Sequence, residues 1–449
     1  MTQIATGAES YAAQFAAFAQ STPLPSALAS LRDDAFNCFD RLGFPTTRLE
    51  DWRFSNVAPI ADTPFVASVT APSYGQAALD ALHLPELDGP RLVFVNGLFN
   101  PALSTTEGLP SGVRARSLSE VLASDPETVQ PHLGRLARIE NHAFTALNTA
   151  FLRDGAVIEI AEGVVVDAPI HLQFVTTGSD GPVLSQPRAL VLAAANSQVR
   201  VVESHAGEGD TPYLNNALTE VVVADSAVVD HYVVVREADT AFRIGGLFAL
   251  LGRASNFSSH AITLSGAIVR HDARVVLNGE GGVCTLNGLY LGNGRQLVDN
   301  QTTIDHAQPH CDSHELYKGI LDGRSRAVFN GKIIVRLDAQ KTDAKQSNKT
   351  ILLSEEAQVT TKPQLQIFAD DVKCTHGATV GQLDEEALFY LRSRALSEAQ
   401  ARQLLIHAFA ADLLSHIKVD AVRHQLDTLL TERLPVGAGG LSTGSVMSK

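Results

Sequence analysis

The stretch Leu218–Val235, LTEVVVADSAVVDHYVVV, decides the fold of this chain. It places two valine-rich runs on either side of a short polar segment around Ser226. β-Branched residues favour strands, and small polar residues favour the turns between them. The stretch therefore predicts two short strands that meet at a corner.

The same pattern of short apolar runs separated by small residues extends from Gly155 to about Gln382. Strand-like runs recur there between glycine and small polar residues: AVIEI, ALVLAAA, VRVVES, LTEVVVA, VVDHYVVV, RVVLNG, AVFNGKIIV and ILLS. The candidate corners are Ser197, Ser226, Ala254 and Val283, followed by Gln296, Cys311, Ser325 and Gln340. They follow in steps of roughly 29 and then roughly 15 residues, a loose repeat typical of solenoids. Because the second step is about half the first, as in a coil with two long sides, a β-solenoid or β-helix is favoured over an open antiparallel sandwich.

Helical patterns flank this region. The first 60 or so residues carry apolar helical faces, and the mixed region after them contains the strand-like RLVFVNG and the amphipathic helix Ile139–Leu152. After the last strand, Asp384 is suited to cap one helix, and Ser397 with Gln400 forms a capping box ahead of another. We predict an N-terminal helical and mixed region over 1–150, a β-helix core over 151–382, a C-terminal helical domain over 383–435 and a flexible tail over 436–449.

Composition narrows the class of protein. The chain has 449 residues, a formal net charge of −14 and no cluster of basic residues, so a nucleic-acid partner is disfavoured. It has neither a secretory signal pattern at its start nor a run of about 18 apolar residues, so no membrane association is expected. Its four scattered cysteines form no CxxC pair, which fits a reducing cytoplasm better than a disulfide framework.

The most chemically suggestive segment is Lys362–Gly381, KPQLQIFADDVKCTHGATVG, which alternates like a strand. Cys374 and His376 are two residues apart, so in a strand they point to the same face. A thiol beside an imidazole can hold a soft metal or part of a cluster, or the imidazole can take the thiol proton. Cysteine and histidine are also ordinary core residues, so a purely structural role is the alternative.

A second group of metal-type side chains lies in DHAQPHCDSHE, which contains His306, His310, Cys311 and His314. Nitrogen and sulfur ligands at this density suit zinc or iron. Pro309 interrupts the regular geometry that would aim them at one point. A polar loop with solvated histidines is therefore favoured over a metal site.

Other catalytic and binding motifs are absent or incomplete. The sequence has no GxxxxGK[ST] loop, GxSxG elbow or HExxH pair, so we expect this chain to bind no nucleotide itself and to contain no catalytic residue of those kinds. GNGRQL, Gly292–Leu297, begins like a dinucleotide-binding fingerprint but has Leu297 where a third glycine belongs. We therefore do not interpret it as a nucleotide site.

The helix after Ser397 carries an apolar stripe that includes Leu404, Leu405, Phe409 and Leu413. Such a stripe normally packs against the core of its own chain. A terminal helical hairpin on a solenoid can also dock a partner. These four residues are therefore candidate partner-binding positions, with a core role as the alternative.

The chain resembles the SufD branch of the SufB/SufD family in two long segments, Asp299–Val335 and Lys341–Arg394, and in the helix ending IHAFAADLL. These proteins belong to the bacterial SUF system for iron-sulfur cluster assembly. The resemblance covers roughly residues 140 to 420 well, and RLEDWRFSNV, Arg48–Val57, is similar to the start of the family. It implies a right-handed parallel β-helix with a C-terminal helical domain, acting as a scaffold rather than as an enzyme.

The same resemblance implies partners and a cargo. Members of this branch pair with SufB through the β-helix and bind the ATPase SufC through the C-terminal helices, so SufC would supply the missing phosphate loop. A transient iron-sulfur cluster would form at the interface with SufB, from sulfur that a desulfurase system delivers. His376, in the pattern CxHGATVG, is the candidate cluster ligand carried over from the family, and Cys374 is the second candidate. A homodimer is expected when the partners are missing.

Two alternative interpretations remain. The paralogue SufB shares the fold, although FADDVKCTHGATVGQLD and NHAFTALNTAF look like SufD. A β-helix enzyme, either acting on carbohydrates or metal-dependent, is less favoured. A carbohydrate-active enzyme would need paired carboxylates or basic residues along one groove, whereas the acidic residues of this chain are dispersed.

Overall fold

The computed structural model describes residues 7–433 except residues 71, 83, 85, 86, 179 and 180. The predicted tail at 436–449 lies outside the described residues. The helices are α1 (Gly7–Ser21), α2 (Ser26–Leu42), α3 (Ala58–Ala61), α4 (Gln76–Leu82), α5 (Leu118–Ser124), α6 (Ala143–Ala150), α7 (Glu385–Ser393), α8 (Glu398–Leu414) and α9 (Asp420–Arg433).

Strands dominate the chain between the helical ends. They are β1 (Val66–Ala67), β2 (Arg91–Val95), β3 (Leu98–Phe99), β4 (Val113–Ser117), β5 (Gly155–Ile160), β6 (Ile170–Thr177), β7 (Val183–Ser185), β8 (Arg188–Ala193), β9 (Gln198–Glu208), β10 (Tyr213–Val223), β11 (Val228–Arg236), β12 (Phe242–Leu251), β13 (Asn256–Ser265), β14 (Ile268–Leu277), β15 (Val283–Gly292), β16 (Leu297–His306), β17 (Asp312–Leu321), β18 (Arg326–Val335), β19 (Asp343–Leu352), β20 (Gln358–Ile367) and β21 (Lys373–Gly381).

The strands wind into a parallel β-helix of about 8 turns. Sheet A runs β20-β18-β16-β14-β12-β10-β8-β5-β4, and sheet B runs β21-β19-β17-β15-β13-β11-β9-β6-β2-β3. Each coil thus gives one strand to each sheet, and every pairing from β8 to β21 is parallel. The predicted solenoid with helical flanks is confirmed, and the antiparallel sandwich is not observed.

The predicted corners lie between consecutive strands, except that Val283 is the first residue of β15, and the corners stack from coil to coil. Ser226 and Ala254 adopt positive φ angles of 59° and 52°, and Asn196, His310 and Lys341 do so at the equivalent corner of other coils. The backbone N–H of Ser226 donates to Arg253 at 2.8 Å, and that of Ala254 donates to Glu280 at 2.8 Å. These bonds satisfy corner amides that the sheets cannot reach. Because each corner must stack directly on the corner of the next coil, the repeat length is near 29 residues.

Side chains alternate along each strand, so one set fills the interior of the coil. Val229, Phe257 and Cys284 are paired in successive coils and are at most 1% exposed. They belong to one continuous apolar cluster that runs along the solenoid. Nearly every residue of β10, β11 and β12 is buried, because both faces of these strands are covered.

The N-terminal region closes one end of the solenoid. The strand predicted at RLVFVNG is β2, which pairs with β6, and β4 pairs antiparallel with β5. The predicted helix at 139–152 is the shorter α6, which packs with α1 and α2 around an aromatic cluster. This end therefore has no bare strand edge facing solvent along β5 and β6.

Helices α8 and α9 lie against the outer face of sheet B. Leu413 and Leu426 are fully buried there among residues of the strands, such as Val234. Lys318 donates to Asp412, and Lys418 donates to Asp230 at 2.8 Å, so two ion pairs hold the hairpin on the sheet near the connection between α8 and α9. The helices thus cover the side of the solenoid and leave its C-terminal end uncovered.

Candidate functional site

The last coil forms an open end of the β-helix. Within the described residues, β20 pairs only with β18 and β21 only with β19, so each is the outermost strand of its sheet there. Most residues of β21 are exposed. An outermost parallel strand presents a row of unpaired N–H and C=O groups, which can pair with another chain.

Cys374 and His376 both lie in this last strand and on the same face of it. Their register partners in β19 are Ala344 and Gln346, whose side chains point into the coil and are at most 3% exposed. Cys374 is half-buried and packs against Ala344, whereas His376 is exposed. The predicted pair therefore sits at the open mouth of the interior, with the thiol deeper than the imidazole.

A polar column continues inward beneath His376. Gln346 lies one coil below, and its side-chain amide donates to the carboxyl of Glu315 at 2.6 Å in the coil below that. Burial raises the pKa of Glu315 to about 7. The mouth of the coil thus combines an exposed imidazole, a buried amide and a carboxyl that holds its proton near neutral pH.

Sequence reasoning missed Gln346 and Glu315, although the signal was present. The two residues precede His376 by 30 and 61 positions, which are one and two repeats of the coil. Applying the predicted repeat to His376 would have placed all three in one column.

The Cys374 thiol is protonated in the isolated chain. Burial, with a smaller contribution from the nearby Asp343 carboxylate, raises its pKa. Metal binding needs the thiolate, so a metal at this position would have to displace a proton. No group of three or more histidine, cysteine or acidic side chains that could hold a metal occurs in the described part of the chain.

The second predicted cluster does not converge. His306 is fully buried inside the coil, where its ring nitrogen contacts the Ser313 hydroxyl at 2.9 Å. Cys311 is buried at the corner, with its Sγ 3.3 Å from the carbonyl of Gly279. His310 and His314 are exposed, the first at the corner and the second on the outer face of sheet B. The four side chains therefore do not meet at one point, and His306 is a core residue rather than the solvated one that was predicted.

The apolar stripe of α8 divides between core and surface. Leu413 is fully buried, so it holds the helix on sheet B and is inaccessible in this chain. Phe409 is partly buried, and the Lys318 ammonium lies 4.8 Å from its ring centre. Leu405 is half-buried, whereas Leu404 is 49% exposed. Of the four candidate positions, Leu404 is the one that a partner can reach most freely.

Two apolar side chains of α7 were not singled out from the sequence. Phe389 is 75% exposed and Tyr390 is 56% exposed, on the helix that packs directly against α8. The Asp384 carboxylate caps α7, and Ser397 with Gln400 forms the predicted capping box of α8. We name Phe389, Tyr390 and Leu404 the helical apolar patch. This patch was not predicted because charged and polar residues surround its members in the sequence.

The fold and the site together define a parallel β-helix protein with an open last coil and an apolar patch on its terminal helices. Two family models match this chain: the SufBD protein N-terminal region over residues 8–172, and the SufBD core domain of SUF system FeS cluster assembly over residues 174–409. An iron-sulfur cluster assembly SufBD family protein of Synechocystis is 36% identical over 409 residues, covering 89% of this chain and 90% of the relative. The iron-sulfur cluster assembly protein SufD of Escherichia coli is 33% identical over 401 residues, covering 89% and 91%.

The chain therefore belongs to the SufB/SufD family of the SUF system, and it is a homologue of SufD. Its role lies in iron-sulfur cluster assembly, in which the family works with partner proteins. No helix in the described residues is long and apolar enough to cross a membrane.

Proposed function

We propose that this chain is a non-catalytic scaffold subunit of a cytoplasmic SufBCD complex. In this role it pairs with SufB through the last coil of the β-helix and with the ATPase SufC through the C-terminal helices. The open last coil carries the proposal, because it brings together an unpaired strand edge, exposed apolar side chains and both candidate ligands. The naming of the Escherichia coli relative as SufD favours this role over that of a SufB-type paralogue.

The exposed apolar residues of the last coil support pairing at this end. Ile367, Phe368 and Val380 are 39%, 62% and 47% exposed. Large apolar side chains grouped on one surface are typical of protein interfaces. A second β-helix stacked end to end would cover these side chains and satisfy the free backbone groups of β20 and β21. In the absence of SufB, a second copy of this chain is expected to occupy the same end.

His376 and Cys374 are the proposed ligands of a transient iron-sulfur cluster, which is the cargo of the complex. Imidazole and thiolate both bind iron. Both side chains face the mouth of the last coil, which the proposed partner would cover. SufB supplies the remaining ligands in this proposal, so that the cluster is shared across the interface and can be released.

The helical apolar patch is the proposed contact with SufC. Phe389 and Tyr390 lie on α7, which packs against α8, and Leu404 lies on α8. A buried apolar face and two ion pairs near the end of α8 anchor it to the solenoid. A force applied to these helices would therefore reach sheet B directly. In the proposed cycle, ATP hydrolysis by SufC moves the two paired solenoids and opens their interface.

The pairing surface is tested with substitutions on the last coil. Full-length chain carrying Phe368→Asp and Val380→Asp is co-expressed with SufB and SufC, and the SufB that co-purifies is measured beside the wild type. We expect retention of SufB to fall by about tenfold or more, because the new carboxylates would be buried without a partner.

The matched control is Val165→Asp, which changes an apolar residue that is 52% exposed near the opposite end of the solenoid. It should retain SufB like the wild type. Full retention by the last-coil variant, with normal folding, would place the SufB contact elsewhere.

A further inference from the structure

A groove lies on the side of the solenoid and reaches the start of β20 in the last coil. Its volume is about 720 Å³. One wall is the segment between Thr47 and Pro59, and the other consists of the starts of consecutive sheet A strands with the corners that precede them. The rejected nucleotide motif at Gly292–Leu297 forms part of this wall.

The groove is positively charged although the chain is acidic. Its lining includes Arg53, Arg295, Arg324 and Arg326, and no aspartate or glutamate is among the lining residues described. We name it the arginine groove. All four arginines are exposed, in a chain whose formal net charge is −14. Of the four, only Arg324 forms an ion pair within the described residues, with Glu356 at 2.9 Å.

The stacking of the coils places two of these arginines next to each other. Arg295 and Arg324 occupy equivalent corners of consecutive coils, each directly after a glycine with a positive φ. The backbone N–H of Arg324 donates to the carbonyl of Gly294 at 2.7 Å, which fixes one corner on the other. Stacked coils are only about 4.8 Å apart, so like charges at equivalent positions repel each other. An anion bound between them would relieve this repulsion.

The floor of the groove is elongated, with three apolar residues followed by two polar ones. Phe242, Ile268 and Leu297 begin β12, β14 and β16 in register, and the row continues through Arg326 to Gln358. Five strands spaced about 4.8 Å apart give a row about 19 Å long. An extended peptide rises about 3.3 Å per residue, so about six residues would fill it.

We propose that the arginine groove binds an extended acidic segment of a partner protein, with apolar side chains on the floor and carboxylates on the arginines. Arginine binds a carboxylate through two parallel hydrogen bonds, so the four arginines suit acidic side chains. Phe54, which is 46% exposed on the groove wall, adds an apolar contact. The length of the row favours a peptide over a compact phosphorylated molecule. This inference does not rest on the proposed pairing with SufB or SufC.

The test uses a dye-labelled hexapeptide that alternates aspartate and leucine, with full-length protein and fluorescence anisotropy. The matched peptide replaces each aspartate with asparagine. The protein variants are Arg295→Glu with Arg326→Glu, and Arg135→Glu as an exposed control outside the groove. Arg295→Gln with Arg326→Gln provides a milder pair if the charge reversal disturbs folding.

We expect the acidic peptide to bind the wild type and the Arg135 variant alike, and to bind the double variants about tenfold or more weakly. Binding should also weaken as salt is added, because the contacts are solvent-exposed charges. Equal binding of the asparagine peptide, or an equal loss in the Arg135 variant, would overturn the proposal. Tighter binding of inorganic polyphosphate than of the peptide would overturn the assignment to a peptide.

Discussion

His376 occupies the same position in its coil as Gln346 and Glu315 occupy in the two coils beneath it. The three side chains form a line from the open mouth into the interior of the solenoid. Buried polar groups lower stability unless they are hydrogen-bonded. Gln346 donates one hydrogen bond to Glu315, whereas Oε1 of Glu315 and Oε1 of Gln346 have no hydrogen-bond partner among the described residues.

Glu315 makes stability depend on pH in a direction opposite to that of a salt-bridged carboxylate. Burial raises its pKa from the ordinary value of 4.5 to about 7. Between these values the folded state keeps a proton that the unfolded state has released, so stability falls as the pH rises from 4.5 towards 7. Glu315→Gln removes this effect. From about pH 5 to about pH 8, we expect the variant to gain on the order of 2 kcal/mol relative to the wild type.

Chemical unfolding of both proteins across this pH range measures the difference. The exposed Glu355→Gln variant is the control, and its difference from the wild type should stay constant. A constant difference for Glu315→Gln as well would mean that Glu315 titrates alike in the folded and unfolded chain.

The apolar stripe of α8 predicts a helix but does not show which of its residues are buried. The sequence predicted the helix and its capping box correctly. It could not assign Leu413 to the interior and Leu404 to the surface, because sheet B, α7 and α9 all contact this helix. Which apolar residues stay exposed is decided by distant strands such as β15 and β17.

The two ends of the stripe should respond differently to substitution. Leu404→Asp is expected to leave the fold intact and to weaken retention of SufC by about tenfold or more, since it puts a charge in the proposed contact. Leu413→Ala opens a cavity in the buried face and should lower the free energy of unfolding by about 2–5 kcal/mol. Co-purification with SufC and chemical unfolding separate the two effects. Unchanged SufC retention by Leu404→Asp would remove this residue from the contact.

The segment Arg48–Val57 is held on the solenoid by one buried arginine. Arg270 lies 2.6 Å from Asp299 and 2.9 Å from Asp272, and its guanidinium stacks 3.8 Å from the ring centre of Trp52. Arg270→Ala leaves two carboxylates without their cation, so we expect a loss of about 3–5 kcal/mol. Trp52 is the only tryptophan of the chain, so its fluorescence should shift to longer wavelength as the segment loosens.

The control for this prediction is Arg336→Ala, whose exposed pair with Asp305 should be worth about 1 kcal/mol or less. If Arg270→Ala matched this control in stability and kept its Trp52 emission, the segment would be held by other contacts.

At the scale of the whole molecule, the sequence predicted the solenoid because the repeat is local. Each corner, such as Ser226 or Ala254, carries its own turn signal, and each strand its own β-branched run. The helices at both ends were predicted from caps and apolar faces in the same way. Two features were not predicted because they depend on how the coils stack. They are the column of polar side chains below His376 and the pair of arginines Arg295 and Arg324.

The packing of the C-terminal helices on sheet B makes a deletion unsuitable for testing their role. Removing the chain after Gly381 would expose the apolar outer face of sheet B, because α8 and α9 cover residues such as Val234 and Ile262. A deletion would therefore disturb the solenoid as well as the proposed SufC contact. Single substitutions in the helical apolar patch test that contact without uncovering the sheet.

The central claim is that the open last coil holds part of a cluster-assembly site, and His376→Ala tests it most directly. The chain is co-expressed with SufB and SufC, purified anaerobically, and analysed for iron and acid-labile sulfide. The control is His314→Ala, an exposed histidine on the outer face of sheet B. We predict that all three complexes assemble and that only the His376 variant loses most of its iron and sulfide. Equal loading of a correctly assembled His376 variant would contradict the claim.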